Sequence, residues 1–182
     1  MTEKGKPIAT VIDFVTGEQV PDMGAESNRQ ALERILVNTL GYEKKEVAVD
    51  VDIEMSISGE PYRSQIDLVV SVDGVRFMAV KCAPGSLGSR EREILAAARL
   101  LDTYQIPLSI VSDGKTAIVL DTATGKKIGE GLHMIPTKDQ AHETIQSSGL
   151  QPLAPDRLER EKLIFRSYDS MNVNVRRNFS VQ

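Results

Sequence analysis

RSQIDLVVSVDGVRFMAVKCAP, residues 63–84, reads as two apolar strands folded back on each other at Asp73-Gly74. An aspartate, Asp67, enters the first strand and a lysine, Lys81, leaves the second. The turn decides whether the two share a face. A two-residue turn sets Val72 opposite Val75 and Asp67 opposite Val80, and Lys81 then points away from Asp67. A three-residue turn with Gly74 in the left-handed conformation pairs Ser71 with Val75, Asp67 with Ala79 and Gln65 with Lys81. Ile66, Leu68, Val70, Val72, Arg76, Met78 and Val80 then form a face apolar enough to lie under a helix. The opposite face joins an apolar middle to a polar end holding Gln65, Asp67 and Lys81. The three-residue turn is therefore expected, with Asp67 and Lys81 as diagonal neighbours at one rim.

Outward from this hairpin the pattern alternates between helices and strands. Residues 8–14 and 18–20 suggest a small hairpin ending at Pro21. Leu32, Ile35, Leu36 and Leu40 recur at helical spacing across residues 24–40, and Gly41 supplies the stop. Glu26, Arg29 and Glu33 fall at the margins of that stripe. Residues 47–58 alternate as a half-exposed strand, which Gly59-Glu60-Pro61 is expected to break. A Gly/Ser-rich loop after Pro84 opens a helix over 90–104, which Pro107 ends. Residues 108–111 form a short strand, and 117–120 with 126–128 a hairpin. Thr137 caps a helix running to Gln146. Residues 157–171 form a charged helix with Leu158, Leu163, Ile164 and Tyr168 on one side, and 172–182 read as a tail or an exchanged arm. The order is helix, three antiparallel strands, helix, strand, then accessories: an α/β layer design. The expected division is a main domain over 1–149 and a helical appendage over 150–182.

Composition narrows the function classes. No apolar run is long enough to span a membrane. The first residues lack the apolar block of a secretory signal, and one cysteine, Cys82, allows no internal disulfide framework. A cytoplasmic protein is expected. With one Cys and two His, a Cys/His zinc site is disfavoured, and any metal would need oxygen ligands. The net charge of −4 argues against non-specific coating of nucleic acid.

Together these residues resemble the N-terminal nuclease domain of type I restriction enzyme R subunits, within the PD-(D/E)XK nuclease superfamily. The resemblance runs from about residue 12 to 135. It rests on Glu26-x-x-Arg29-Gln30 before a helix ending Leu40-Gly41-Tyr42, on Ile66-Asp67-Leu68-Val69-Val70, on Lys81 before Ala83-Pro84, and on Pro107 through Ser112-Asp113-Gly114. It implies a restriction-endonuclease-like core (αβββαβ, a mixed sheet flanked by helices) acting on DNA with Mg²⁺. Carried over by position, Asp67 is a metal ligand, Lys81 the catalytic lysine and Glu26 the helix carboxylate at the metal. That chemistry is physically apt: hard cations take carboxylate oxygens, and phosphodiester hydrolysis needs an activated water and positive charge on the transition state. The sequence departs from the pattern where the second metal-binding carboxylate belongs, since Ala79 stands there. The glutamine-and-tyrosine motif of the following helix falls at Ala96 and Leu100. Glu93, with Glu91 nearby, is the candidate relocated carboxylate, completing a metal set of Asp67, Glu26 and Glu93.

Plainer roles fit the same residues. Asp67 suits a strand entry satisfied by backbone groups or by Arg63, and Lys81 a strand-end lysine with its stem along apolar surface. Glu26 suits the start of a helix on dipole grounds. Glu91 and Glu93, among Arg90 and Arg92, look like a solvated charge cluster, and Cys82 like a buried structural cysteine. Arg176-Arg177 is a weak phosphate contact. The function expected is a degenerate or impaired DNA endonuclease domain. Its alternatives are a nuclease-fold module that binds nucleic acid or protein without cutting, and a structural or regulatory protein that oligomerises through its C-terminal helix.

Overall fold

Asp73 and Gly74 both adopt left-handed backbone (φ 52° and 79°) in the computed structural model, which describes residues 9–171. They form a two-residue turn of the kind that matches strand twist, so the expected three-residue turn is corrected. Val72 faces Val75 and Ser71 faces Arg76, after which the register slips and Val70 faces Met78, Val69 faces Ala79 and Leu68 faces Val80. Phe77 is the extra residue of a β-bulge. Successive residues Phe77 and Met78 accordingly bury in the same core cluster. The extra residue also reverses the facing of everything beyond it, so Lys81 returns to the Asp67 face that an unbulged two-residue hairpin would deny it. Tyr104 anchors the irregularity: its hydroxyl accepts from the Arg76 N–H at 2.8 Å and donates to the Arg76 carbonyl at 3.3 Å.

This hairpin, β4 (Glu60–Val72) and β5 (Val75–Cys82), forms the second and third strands of a six-stranded sheet. β3 (Val47–Ile57), β6 (Leu108–Ser112), β7 (Ala117–Asp121) and β8 (Lys127–Glu130) complete it in the order β3-β4-β5-β6-β7-β8. Only β5 and β6 run parallel; the chain between them is the helix α2 (Glu91–Leu100), as a parallel crossover requires. A separate two-stranded sheet, β1 (Thr10–Ile12) with β2 (Gln19–Pro21), precedes α1 (Glu26–Asn38). The chain closes with α3 (Lys138–Ser147), capped by Thr137 in a reciprocal capping box, and α4 (Leu158–Met171). This is the α/β architecture expected for a restriction-endonuclease-like core, with a C-terminal helix added.

Two core layers sandwich the sheet. Leu32 and Leu36 of α1 and Ala141 of α3 pack with Leu68, Val70, Phe77, Met78 and Val80. Ile94 and the alanine run 96–98 of α2, with Phe165 of α4, pack with Val69, Ala79 and Val111. The alanines let α2 approach the sheet closely.

Several boundaries differ from expectation for identifiable reasons. Gly59-Glu60-Pro61 does not interrupt the sheet, because Ser58 and Gly59 (φ 52° and 83°) make a second two-residue turn and Pro61 pairs with Ser56. Proline is tolerated there because that end of β4 extends beyond its ladder with β5. α2 ends at Leu100 rather than 104, where Tyr104 is committed to the bulge. On α4 the buried residues are Glu161, Phe165 and Asp169, at a spacing of four, while Leu158 and Leu163 are exposed; the expected Leu158/Leu163 face is corrected accordingly. The expectations for residues 172–182, Arg176-Arg177 and the exchanged arm, lie outside the described residues.

Candidate functional site

Lys81 reaches the end of β5 on the face covered by α2, and its side chain is almost wholly buried. Its ammonium lies 3.1 Å from Glu93 Oε1 and 3.7 Å from Asp67 Oδ1. The other Asp67 oxygen accepts the Cys82 N–H at 2.7 Å, so the carboxylate both ends the β4–β5 ladder and faces the lysine. Burial works against the charged lysine, but Asp67 and then Glu93 outweigh it and hold its pKa above the ordinary lysine value. Burial pushes the Glu93 carboxyl up, opposed by Lys81.

Glu93 comes from the first turn of α2, and Arg90 approaches its second oxygen at 3.7 Å. It is buried beside Lys81 rather than solvated among the flanking arginines, whereas Glu91 is half-buried. A third carboxylate, Asp169, arrives from the end of α4. It accepts from Ser64 Oγ at 2.8 Å and from the Tyr62 hydroxyl. It is close enough to favour the charged form of Lys81 and to disfavour that of Glu93. Phe165, one turn earlier, packs edge-on against Tyr62 with ring centroids 6.2 Å apart. Sequence reasoning missed Asp169; the spacing of Glu161, Phe165 and Asp169, which lines one helix face, was its signal.

Glu26 belongs to a neighbouring cluster centred on Arg29. Arg29 Nη2 lies 2.6 Å from Glu26 and 2.9 Å from Asp13, and its Nη1 lies 3.4 Å from Glu33. Gln30 donates to Glu26 at 3.1 Å. All five side chains are buried, which corrects the expected place of Glu26, Arg29 and Glu33 at the margin of the α1 stripe. One cation cannot fully offset three buried carboxylates, and burial raises the Glu33 pKa to about 7 despite Arg29. Cys82 is buried between the two clusters, its thiol pushed well up by burial and by Asp67, with Arg29 and Lys81 opposing. The structure thus brings Asp67, Lys81 and Glu93 together, and sets Glu26 on Arg29.

The family described as type I restriction enzyme R protein N terminus matches residues 24–136. The chain belongs to this family. No curated protein and no solved structure matches it. The stretch shared with the R-protein N termini contains Glu26, Asp67, Ala79, Lys81 and Glu93, whereas α4 and Asp169 lie beyond it. Ala79 is fully buried in the layer beneath the α2 alanines. Among the described residues, no group of three or more His, Cys, Asp or Glu side chains is arranged to hold a metal ion. No helix among them is long and apolar enough to cross a membrane.

Proposed function

We propose that this chain is a DNA-associated nuclease-fold domain of the restriction class whose cleavage centre is impaired. One observation carries the reading: the Lys81 ammonium sits with Asp67 and Glu93 in the place where a divalent cation would meet two carboxylates, while alanine occupies position 79. The donor set as it stands does not fit a resident Mg²⁺. A hard cation takes six oxygen ligands in near-octahedral geometry and is repelled by a neighbouring ammonium. A cation entering here would have to displace Lys81 to reach Asp67 and Glu93, and Glu26 is held by Arg29 and Gln30. Mg²⁺ binding is therefore weak, and Lys81 acts as the site's own counter-cation.

Calorimetric titration of Mg²⁺ and Mn²⁺, paired with plasmid nicking in Mn²⁺, tests this reading. Expected are no saturable heat at millimolar metal and no nicking above background. Metal-dependent nicking that disappears in Lys81→Ala would establish an active nuclease instead. A second reading, self-association through α4, draws on the exposure of Leu158 and Leu163. Sedimentation of the chain with and without residues after 150 separates it, a monomer in both cases counting against it.

A further inference from the structure

The chain carries a net charge of −4, yet arginines gather in a cleft of about 510 Å³ between α2, α4 and the β7–β8 turn. Arg92 and Arg99 enter it from α2, Arg157 from the turn before α4 and Arg160 from α4 itself. Against these four cations the lining carries two carboxylates, Glu91 and Glu161. Glu161 is buried, and its Oε1 meets both Arg99 Nη1 at 2.9 Å and Arg157 Nη2 at 3.0 Å, while its Oε2 has no hydrogen-bond partner among the described residues. Arg99 is fixed further by donating its Nε–H to the Thr122 carbonyl at 2.9 Å. Glu161 therefore holds two guanidinium groups in place at the base of the cleft. Arg92 and Arg160 at its rim are exposed, and neither has an ion pair or hydrogen bond among the described residues.

The geometry points to this cleft as a phosphate-binding site, recognising the backbone of nucleic acid. Guanidinium groups match phosphate oxygens in planar, paired hydrogen bonds, and two held in place by a buried carboxylate lose little freedom on binding. The cleft is distinct from the Lys81 centre, whose charges are already paired. Arg157 and Arg160 lie outside the family stretch of 24–136, so the cleft is built jointly by the family core and the added helix. That the phosphate comes from DNA rests on the proposed function; that the cleft takes phosphate does not.

The test is fluorescence anisotropy with a labelled DNA duplex over a salt series. It compares the full chain, the double variant Arg92→Ala/Arg160→Ala, and a control of equal charge change, Lys45→Ala/Arg63→Ala. Neither replaced cleft arginine has an ion pair or hydrogen bond among the described residues, and matched melting curves confirm folding. The cleft variant should weaken binding by about tenfold and reduce the slope of log K against log salt by about 2, as expected for two lost phosphate contacts. The control should stay near wild type. Equal losses in both variants, or none in the cleft variant, overturn the proposal. If the wild type binds no duplex even at low salt, the DNA-associated reading fails, and inorganic pyrophosphate becomes the probe. Thermal stabilisation by pyrophosphate that vanishes in the cleft variant keeps the cleft as a small-phosphate site; no stabilisation of the wild type ends it.

Discussion

Replacing Lys81 by methionine keeps most of the side-chain volume and removes the charge. In the folded protein this leaves Asp67 and Glu93 facing each other without their shared cation, with Asp169 close by. Glu93 and Lys81 are both nearly inaccessible to water, so solvent offsets little of the loss. Breaking a buried pair from one side costs about 3–5 kcal/mol, and that is the expected destabilisation of Lys81→Met at pH 8. The pH dependence follows from Glu93. Its folded pKa is already raised by burial against the pull of Lys81, and without that pull it rises further. A raised folded pKa means that the folded state holds the proton more tightly. The stability it contributes is present below the ordinary carboxylate range and lost as pH climbs through the folded value. Lys81→Met should therefore lie nearer to wild type at pH 5 than at pH 8. Adding Glu93→Gln should restore part of the loss at pH 8 and flatten the difference. Urea denaturation of the four proteins in this cycle at both pH values measures all of these terms. A Lys81→Met protein as stable as wild type at pH 8, or one that loses stability toward pH 5, would refute the reasoning.

Three further outcomes follow from other parts of the molecule. Burial raises the Glu33 pKa to about 7 from an ordinary 4.5, so its contribution falls as pH rises from about 4.5 through 7; Glu33→Gln should remove a pH slope worth on the order of 3 kcal/mol, read from denaturation midpoints between pH 5 and 8. Tyr104→Phe removes the hydroxyl that serves the Arg76 backbone at the bulge, and should cost about 1–3 kcal/mol in the same assay. Phe165→Ala empties a fully buried position against Tyr62; it should cost about 3–5 kcal/mol and speed amide exchange along α4 before the sheet.

Much of the architecture was written in local patterns. The helical spacing of Leu32 and Leu36 marks the side of α1 that meets the core. The alternation of residues 47–57 marks a strand but not one face, since Val47 and Val49 join one core layer and Val51 and Ile53 the other, with Asp50 in left-handed backbone between them. Thr137 announces its helix by the side-chain cap it supplies. The hairpin was only half legible. Asp73-Gly74 marks the turn, but the bulge is specified from Tyr104, twenty-eight residues away, which takes up the backbone groups of Arg76. The expected register was wrong, yet its conclusion about facing holds, because a two-residue turn plus one bulged residue has the same parity as a three-residue turn. The charged residues were harder to read. Glu93 stands among Arg90, Glu91 and Arg92, a local pattern indistinguishable from a solvated helix start. Its burial is decided by Lys81 on another element. Glu26, Arg29 and Glu33 likewise look marginal on a helical projection, and Asp13 from the segment after β1 completes their enclosure. Asp169 needs α4 folded back over β4 before it acquires any role.

The central claim is that a lysine, and not a metal, is the cation between Asp67 and Glu93. Crystals soaked in Mn²⁺ and recorded at the manganese edge test it most directly. The account predicts no anomalous peak between these carboxylates and Lys81 Nζ still within hydrogen-bonding reach of Glu93. A manganese peak bound to both carboxylates, with the lysine swung aside, would contradict it.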